Sequence, residues 1–269
     1  MIELSIVIPA YNESRIIGDT LRRVVAHLAA RPQTWEIVIV DDGSRDGTAG
    51  IVASEAVVEP RIVLLQNPRN QGKGASVKNG MLAARGNYVF FMDADLSVPL
   101  EELDESLDTM IRDGWGVLIG SRRIKGSRLE KRQPKLRELM GDTFTLFTRL
   151  LLDPSIRDFT CGFKGFRRAE AQRIFGLQQS SDWAFDAEIL YLAHLLEIPV
   201  HQRPVRWRNG AETKVRFPRD IIMTLIGLVR IRLQTPTFVR QRGRQIDSTI
   251  PSRRISQIVA ELPKERDPI

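Results

Sequence analysis

The sequence predicts an α/β fold in which helices flank a mostly parallel sheet. Between residues 1 and 120, short apolar runs rich in Val, Ile and Phe alternate with stretches of helical periodicity. The connections are short, and polar residues follow the ends of several apolar runs. Repeated β-α units of this kind favour parallel strands with helices on both faces. Because such sheets bind ligands at the carboxyl ends of their strands, the polar residues mark the expected site.

Each element follows from its local pattern. Runs of β-branched and aromatic residues predict strands at residues 6–9, 36–40, 61–65, 88–92 and 116–120. Apolar residues at helical spacing predict helices at residues 15–29, 46–56, 73–84 and 100–112. The last of these helices follows Pro99 and carries acids in its first turn, where the helix dipole favours negative charge.

The composition is typical of a folded protein from a reducing compartment. With 269 residues and 42% hydrophobic content, the chain can build a large core. The single cysteine, Cys161, excludes an intramolecular disulfide, and we expect it to be buried rather than a nucleophile. The N-terminus lacks a basic region followed by an apolar signal core. The longest apolar stretches fall short of the roughly 20 residues that span a bilayer, so we expect a soluble chain that can lie against a membrane. Together with the single cysteine and the missing signal, this predicts a cytoplasmic protein.

Charge divides the chain into two unlike halves. Residues 1–120 carry 11 Lys or Arg against 17 Asp or Glu, a net charge of −6, whereas residues 121–269 carry a net charge of +13. This asymmetry predicts an acidic metal-binding half and a basic half that meets phosphate or anionic lipid. Nucleic acid is the alternative polyanion. Because the sequence has no recognised motif for reading nucleic acid, we expect no nucleic-acid partner.

Two aspartates separated by one small residue, Asp93-Ala94-Asp95, follow the strand predicted at residues 88–92. Carboxylates this close repel each other unless a proton or a cation neutralises them. A hard divalent cation that also binds phosphate oxygens would do so, which predicts a Mg²⁺ or Mn²⁺ site. The alternative is that the acids solvate the strand end or cap the helix that begins near Pro99.

Three other loops carry groups suited to a nucleoside diphosphate. Tyr11 and Glu13 follow the first strand and offer an aromatic face for a base and a carboxylate for ribose hydroxyls. Asp41 and Asp42 follow the second strand and can accept a hydrogen bond from a base, although this turn-rich segment also suits a helix cap. Lys73 lies between glycines before a helix, where it can meet a phosphate. The glycine spacing matches neither the dinucleotide fingerprint nor the P-loop.

Taken together, the segments IVIPAYNE, VDDGSRDGT, NQGKGASVKNG and FFMDADLS occur in this order in the first half of the chain. The set resembles the inverting nucleotide-sugar glycosyltransferases of family 2, which have the GT-A fold. The later segments GSRR, DFTCGFKGF and WAFDAEILY are most similar to the dolichyl-phosphate glucosyltransferase branch. The resemblance covers about residues 3–216. It implies transfer of glucose from UDP-glucose to a polyprenyl phosphate, with GDP-mannose as the alternative donor.

The resemblance implies a role for each matching residue. The base and ribose pocket would be lined by Pro9, Tyr11, Glu13, Val40 and Asp42. The metal ion would be held by Asp93, Asp95 and Ser97. Because Ser97 is a shorter ligand than its counterpart in the related mannosyltransferases, a water can replace it. Further substrate contacts would come from Lys73, Ala94, Arg208 and Lys214. The transferred sugar and the acceptor phosphate would face Arg122, together with Arg132 or Arg137.

The catalytic candidates implied by the resemblance are Arg122, Arg137 and Asp186. A metal ion and basic side chains would stabilise the charge on the leaving diphosphate. A phosphate monoester, with a second pKa of about 6, is already largely anionic at neutral pH. We therefore expect no single side chain, Asp186 included, to be an indispensable base, and we expect arginines that orient the acceptor to matter more.

The domain organisation follows from the same patterns. Residues 1–217 are expected to form the transferase domain, with a nucleotide and metal half at 1–120 and an acceptor half at 121–217. Residues 218–239 are expected to form an amphipathic interfacial helix, and residues 240–269 a basic, mobile tail. Amphipathic stretches at 135–152 and 219–233 favour peripheral contact with an anionic membrane at its cytoplasmic face. Such helices can equally pack on the sheet or pair two subunits in a homodimer.

Overall fold

A seven-stranded sheet forms the centre of the computed structural model, which describes residues 2–130, 135–208 and 219–247. For residues 135–140, 142, 219–223 and 242–247 it describes the backbone alone. The sheet strands are β1 (Leu4–Ala10), β2 (Trp35–Asp41), β3 (Ile62–Gln66), β4 (Tyr88–Met92), β5 (Val117–Ser121), β7 (Phe163–Arg167) and β8 (Val200–Pro204). Two short strands, β6 (Arg128–Leu129) and β9 (Arg206–Trp207), pair separately.

The strand order is β3-β2-β1-β4-β7-β5-β8. Every adjacent pair is parallel except the two pairs that involve β7, which runs antiparallel to β4 and to β5. The predicted mostly parallel sheet is therefore confirmed. The five predicted strands and four predicted helices are all present, and their ends lie within two residues of the expected positions.

Helices cover both faces of the sheet. They are α1 (Ile17–Ala29), α2 (Thr48–Val58), α3 (Lys73–Ala83), α4 (Glu101–Asp113), α5 (Lys135–Leu151), α6 (Arg168–Leu177), α7 (Phe185–Leu195) and α8 (Arg219–Asp247). Alternate residues of β1 enter different cores, because successive side chains of a strand point to opposite faces. Ile6 and Ile8 pack with residues of α1 and α4, whereas Val7 packs with residues of α3, α6 and α7.

Strand β7 was not predicted from the sequence. It reads Phe-Lys-Gly-Phe-Arg, and the lysine and glycine weaken the strand pattern. The strand forms because Phe163 and Phe166 pack against Phe90 and Phe91 of β4, with ring centroids 5.6 Å and 6.5 Å apart. Gly165, which pairs with Phe90, leaves room for the aromatic ring beside it.

The long C-terminal helix α8 covers residues 219–247 and contains Pro236. It therefore continues beyond residue 239, where the interfacial helix was expected to end. Of the expected basic tail, residues 248–269 lie outside the described part of the chain. None of the helices in the described ranges is both long enough and apolar enough to cross a bilayer.

Gly165→Ala should lower the free energy of unfolding by about 1–3 kcal/mol, because overpacking a dense core forces its neighbours apart. The added Cβ would lie 2.3 Å from Cε1 of Phe90, a fully buried ring. Denaturant unfolding of the variant measures the effect.

Gly50→Ala is the matched control, since a Cβ there meets nothing within 4 Å on α2. It should leave the free energy of unfolding unchanged or raise it by about 0.5–1 kcal/mol. A Gly165→Ala variant as stable as the wild type would contradict the packing described for β7.

Candidate active site

The predicted polar segments meet at one edge of the sheet. The strands β2, β1 and β4 are neighbours and run parallel, so their carboxyl ends lie side by side. Pro9 pairs with Val40, which places these two predicted pocket residues next to each other. Ala10 pairs with Asp41. The segment with Tyr11 and Glu13 continues from β1, where the Glu13 N–H donates to Oγ1 of Thr48 at 2.9 Å.

Asp42 holds the loop that precedes α3. Its buried carboxylate accepts hydrogen bonds from the backbone N–H groups of Gln71 and Gly72, both at 2.9 Å, and from the side-chain amide of Asn67 at 2.7 Å. The structure thus gives Asp42, a predicted base-pocket residue, a set of partners within the protein. These hydrogen bonds position the segment that carries Lys73, and the base-pocket role of Asp42 stays a prediction.

Asp41 is the carboxylate next to Asp42 that retains an open acceptor. Its Oδ2 accepts the Ser44 N–H at 3.2 Å, while its Oδ1 is buried and has no hydrogen-bond partner among the described residues. A buried polar atom without a partner is costly, which is consistent with an acceptor for a ligand N–H. The resemblance had selected Asp42, and the sequence offered no signal for choosing between two adjacent acids.

The glycines around Lys73 serve packing within the protein. Gly72 has φ +98°, and a Cβ on it would lie 2.3 Å from the carbonyl oxygen of Ser181. A Cβ on Gly74 would lie 2.7 Å from Cβ of Phe185. The close approach of residues 180–185 therefore accounts for both glycines, and contact between Lys73 and a phosphate stays a prediction.

Asp93 lies directly beyond β4 and forms an ion pair with Lys73, whose Nζ is 2.6 Å from Asp93 Oδ1. Gly162 lies against the same carboxylate, since a Cβ there would be 1.9 Å from Asp93 Oδ2. Burial lowers the pKa of Lys73, but the carboxylates of Asp93, Asp186 and Asp95 outweigh it and hold that pKa above the ordinary value. Lys73 is therefore a cation enclosed by acids.

The turn after Asp93 is fixed by hydrogen bonds to its main chain. The Ala94 carbonyl accepts a hydrogen bond from Thr20 Oγ1 at 2.6 Å, and Asp95 Oδ1 accepts the Ser97 N–H at 2.9 Å. Leu96 has φ +47°, a left-handed conformation that is unusual for a branched side chain. Such strain is concentrated at functional sites. The turn therefore holds both carboxylates at the sheet edge in one arrangement.

The donors at this turn suit a hard divalent cation. Asp93 and Asp95 provide carboxylate oxygens and Ser97 provides a hydroxyl, which are the ligand types that Mg²⁺ and Mn²⁺ accept. Within the described ranges, no group of three or more His, Cys, Asp or Glu side chains could hold a metal ion. A cation at this turn would therefore need oxygens from a ligand or from water as well.

Asp186 lies in a buried ion pair with Lys164. Nζ of Lys164 is 2.5 Å from Asp186 Oδ1 and donates to the carbonyl oxygen of Cys161 at 2.7 Å. Burial raises the pKa of Asp186, although Lys164 and Lys73 oppose the rise. The catalytic candidate Asp186 is thus paired with a lysine of β7 that was not predicted as a site residue.

Arg122 is held at the site by Asp158. Its backbone N–H and its Nε donate to Asp158 Oδ2 at 2.9 and 2.8 Å, and its Nη2 donates to Asp158 Oδ1 at 2.8 Å and to Thr160 Oγ1 at 2.9 Å. Burial favours protonation of Asp158, but Arg122 outweighs it and holds the pKa of Asp158 at about 2. The guanidinium also lies 5.5 Å from the Trp207 ring centroid. Within the described part of the chain, no group accepts a hydrogen bond from its Nη1.

The remaining predicted basic residues have different outcomes. The backbone N–H of Arg208 donates to the Ser97 carbonyl at 2.8 Å, which joins it to the Asp93–Ser97 turn, and its guanidinium pairs with Glu130. Arg132 and Lys214 lie outside the described residues, and Arg137 lies in α5 with only its backbone described. Cys161 is buried, as predicted, and burial raises the pKa of its thiol to about 12.

The comparisons with known proteins agree with this geometry. A family model described as glycosyl transferase family 2 matches residues 5–175. The chain belongs to glycosyl transferase family 2. It is accordingly an enzyme of the glycosyltransferase class, and the resemblance found in its motifs is confirmed. A dolichyl-phosphate beta-glucosyltransferase of Trichomonas vaginalis is 37% identical over 239 residues, which cover 84% of this chain and 70% of that protein.

Further relatives and solved structures support the same family and fold. A dolichyl-phosphate beta-glucosyltransferase of Dictyostelium discoideum is 35% identical, over 87% of this chain and 75% of that protein. Glucosyl-3-phosphoglycerate synthase of Mycobacterium tuberculosis, solved with Mn²⁺, UDP and glucosyl-3-phosphoglycerate, has a TM-score of 0.61 at 17% identity, over 87% of this chain and 80% of that one. Mannosyl-3-phosphoglycerate synthase of Rubrobacter xylanophilus also has a TM-score of 0.61, at 19% identity, over 90% of this chain and 75% of that one. The expected GT-A fold is therefore confirmed.

Asp158→Asn should lower the free energy of unfolding at pH 7 by about 3 kcal/mol, because Arg122 would lose its buried counter-charge. In the wild type, the depressed pKa of Asp158 stabilises the folded protein above the unfolded pKa of about 4, and this stabilisation is lost as the pH falls toward 2. Unfolding titrations between these pH values should show a weaker pH dependence in the variant, by about 2 kcal/mol.

The exposed Asp108→Asn change on α4 is the matched control, with an unfolding free energy within about 0.5 kcal/mol of the wild type. If the free energy of unfolding depended on pH equally in the wild type and Asp158→Asn, the ion pair of Asp158 with Arg122 would not stabilise the site.

Proposed function

We propose that the chain transfers glucose from UDP-glucose to a polyprenyl phosphate of the dolichyl type, with inversion at the anomeric carbon. The observation that carries the proposal is the fixed carboxylate turn at Asp93 and Asp95, with Lys73 and Arg122 beside it. The names of the relatives support the acceptor and the sugar. The UDP bound to the structural neighbour from Mycobacterium tuberculosis supports the nucleotide.

The donor nucleotide would lie along the ends of β1 and β2. The open Oδ1 of Asp41 suits the ring N–H of uracil, and Pro9 and Val40 would contact the base from adjacent strands. Tyr11 and Glu13 would contact the base and the ribose. Guanine also carries a ring N–H, so the base contact alone leaves GDP-mannose as the alternative donor.

Asp93 and Asp95, with Ser97 or a water, would hold Mg²⁺ or Mn²⁺ against the diphosphate. The ion would supply positive charge that stabilises the leaving UDP. Lys73, which neutralises Asp93 in this structure, would then be able to turn to a diphosphate oxygen. We also place Arg208 and Lys214 at the diphosphate, on the motif match alone.

The acceptor phosphate would face Arg122, oriented by Asp158. An oxygen of the acceptor phosphate attacks the anomeric carbon, the bond from that carbon to the diphosphate breaks, and UDP leaves with the electron pair. The phosphate is already ionised at neutral pH, so no side chain has to remove a proton. The buried pairing of Asp186 with Lys164 fits this scheme, because Asp186 would act through Lys164 on the position of β7. Arg132 and Arg137 complete the proposed acceptor site from the motif match.

A polyprenyl acceptor places the reaction at a membrane surface. We propose that the protein is peripheral at the cytoplasmic face of a membrane and that it contacts anionic lipid. Exposed apolar side chains on α5 and α8 support this contact, among them Leu150 and Leu233, which are 74% and 70% exposed. Pairing of two chains through the same surface is the alternative.

Incubation of the purified protein with labelled UDP-glucose, GDP-mannose or UDP-N-acetylglucosamine and a polyprenyl phosphate tests the proposal. We expect lipid-linked glucose from UDP-glucose, and loss of transfer in excess EDTA. Asp95→Asn should lower kcat/KM by about 10²-fold or more, since it removes a ligand of the ion that would stabilise the charge developing on UDP.

Asp108→Asn, on the exposed face of α4, is the control that should transfer at the wild-type rate. A preference for GDP-mannose would replace the proposed donor with the alternative. Full activity in EDTA together with full activity of Asp95→Asn would reject the metal-dependent scheme.

A further inference from the structure

A basic cleft lies beside α5 and outside the site described above. Its volume is about 210 Å³. The residues that line it are Arg123, Thr145, Leu146, Arg149 and Arg157. Three of the five carry guanidinium groups, and none is a carboxylate. The volume and the charge suit a phosphate group.

Arg149, which lines this cleft, differs from other arginines of the chain in how it is held. Arg122, Arg203 and Arg206 each pair with a buried carboxylate. Arg149 is instead held by the carbonyl oxygen of Pro154, which accepts from its Nε at 3.2 Å and from its Nη2 at 3.0 Å. A carbonyl fixes the direction of a guanidinium without neutralising its charge. Arg149 and Arg157 are like charges that line one cleft, and a bound anion would relieve the repulsion between them.

The surface next to the cleft is apolar. Leu146 lines the cleft, and Leu150 is its neighbour four residues further along α5 and also the neighbour of Phe147, three residues before it. All three are exposed, Leu146 by 54% and Leu150 by 74%. A helix that exposes this much apolar surface beside basic residues suits the interface of a membrane, where apolar side chains enter the acyl region and guanidinium groups meet phosphates.

Helix α8 packs against α5 and exposes apolar side chains of its own. Ile226, Val229 and Leu233 are exposed and recur at helical spacing on one face of α8. Charge complementarity and the adjoining apolar area therefore point to the same occupant, a lipid that has both an anionic head and an acyl chain.

We propose that this cleft binds the phosphate headgroup of an anionic membrane lipid that is not the acceptor. The inference rests on the proposed function, because it states how that enzyme is held at its membrane. The cleft differs from the acceptor site in its residues: Arg122 is bound by Asp158 and Trp207 near Asp93, whereas the following residue, Arg123, lines the cleft.

Co-sedimentation of the full chain with lipid vesicles tests the proposal. The vesicles are phosphatidylcholine alone or phosphatidylcholine with phosphatidylglycerol. Arg149→Gln with Arg157→Gln should weaken binding to the anionic vesicles about 10- to 30-fold, since each basic residue near such a surface adds to the binding free energy. Wild-type binding to the neutral vesicles should be weak.

The matched control removes two charges elsewhere. Arg168→Gln with Arg173→Gln changes two exposed arginines of α6, which packs on α3 and α7. It should weaken binding by about 2-fold or less. If both double variants lost vesicle binding equally, the loss would come from the net charge of the protein and not from the cleft. That result would overturn the proposal. Arg157→Gln alone, whose side chain is exposed, gives the same test if Arg149→Gln disturbs the fold.

Two further measurements distinguish a lipid headgroup from a free phosphate, and the cleft from the acceptor site. Inorganic phosphate or glycerol phosphate at millimolar concentration should leave vesicle binding intact, and displacement at that concentration would assign the cleft to a free phosphate. With a short-chain prenyl phosphate in detergent, Arg149→Gln with Arg157→Gln should keep the wild-type KM. A raised KM would assign the cleft to the acceptor and overturn the proposal. Vesicle binding without any sugar transfer would reject the proposed function alone.

Discussion

The arrangement of this site depends on how the protein neutralises negative charge at the end of β4. Asp93 pairs with Lys73, Asp186 with Lys164, and Asp158 with Arg122. Two of the acids, Asp186 and Asp158, are almost fully buried, where an unpaired carboxylate would be costly. Asp93 is the most exposed of the three, and its pairing with Lys73 is therefore the one that a cation and an anionic ligand can exchange most easily.

Strand β7 brings these pairs together. It runs antiparallel between β4 and β5, so that Gly162, just before it, lies against Asp93, while Lys164 extends toward Asp186. Segments distant in sequence thus fix the carboxylate turn from three sides: β7, the Lys73 loop and the strand β9 region, where Arg208 bonds to Ser97. Arg122, which we propose faces the acceptor, follows β5, the other neighbour of β7. A single strand therefore connects the proposed donor and acceptor sides.

The alternating elements and the aspartate pair could be predicted from the sequence because their signals are local. The apolar runs of β1, β2 and β4 are continuous, and the acids follow a strand directly. The roles of Asp158 and Lys164 could not be predicted, nor could the sequence distinguish Asp41 from Asp42 as the acceptor for a base. Each depends on a partner, or on the absence of one among the described residues, that only the folded chain determines. Strand β7 was not predicted because its lysine and glycine fit a strand only beside their neighbours on other elements. Lys164 pairs with Asp186 of α7, and Gly165 lies against Phe90 of β4.

Direct titration of Mn²⁺ into the wild type and Asp93→Asn, each with and without UDP, tests the central claim about charge at the end of β4. The account predicts that Mn²⁺ binds the wild type weakly alone, because Lys73 already neutralises Asp93. UDP should tighten Mn²⁺ binding by about 10-fold or more, a usual size for coupling between two ligands, and Asp93→Asn should abolish the coupling. Equal Mn²⁺ affinity with and without UDP, or unchanged coupling in Asp93→Asn, would contradict the account.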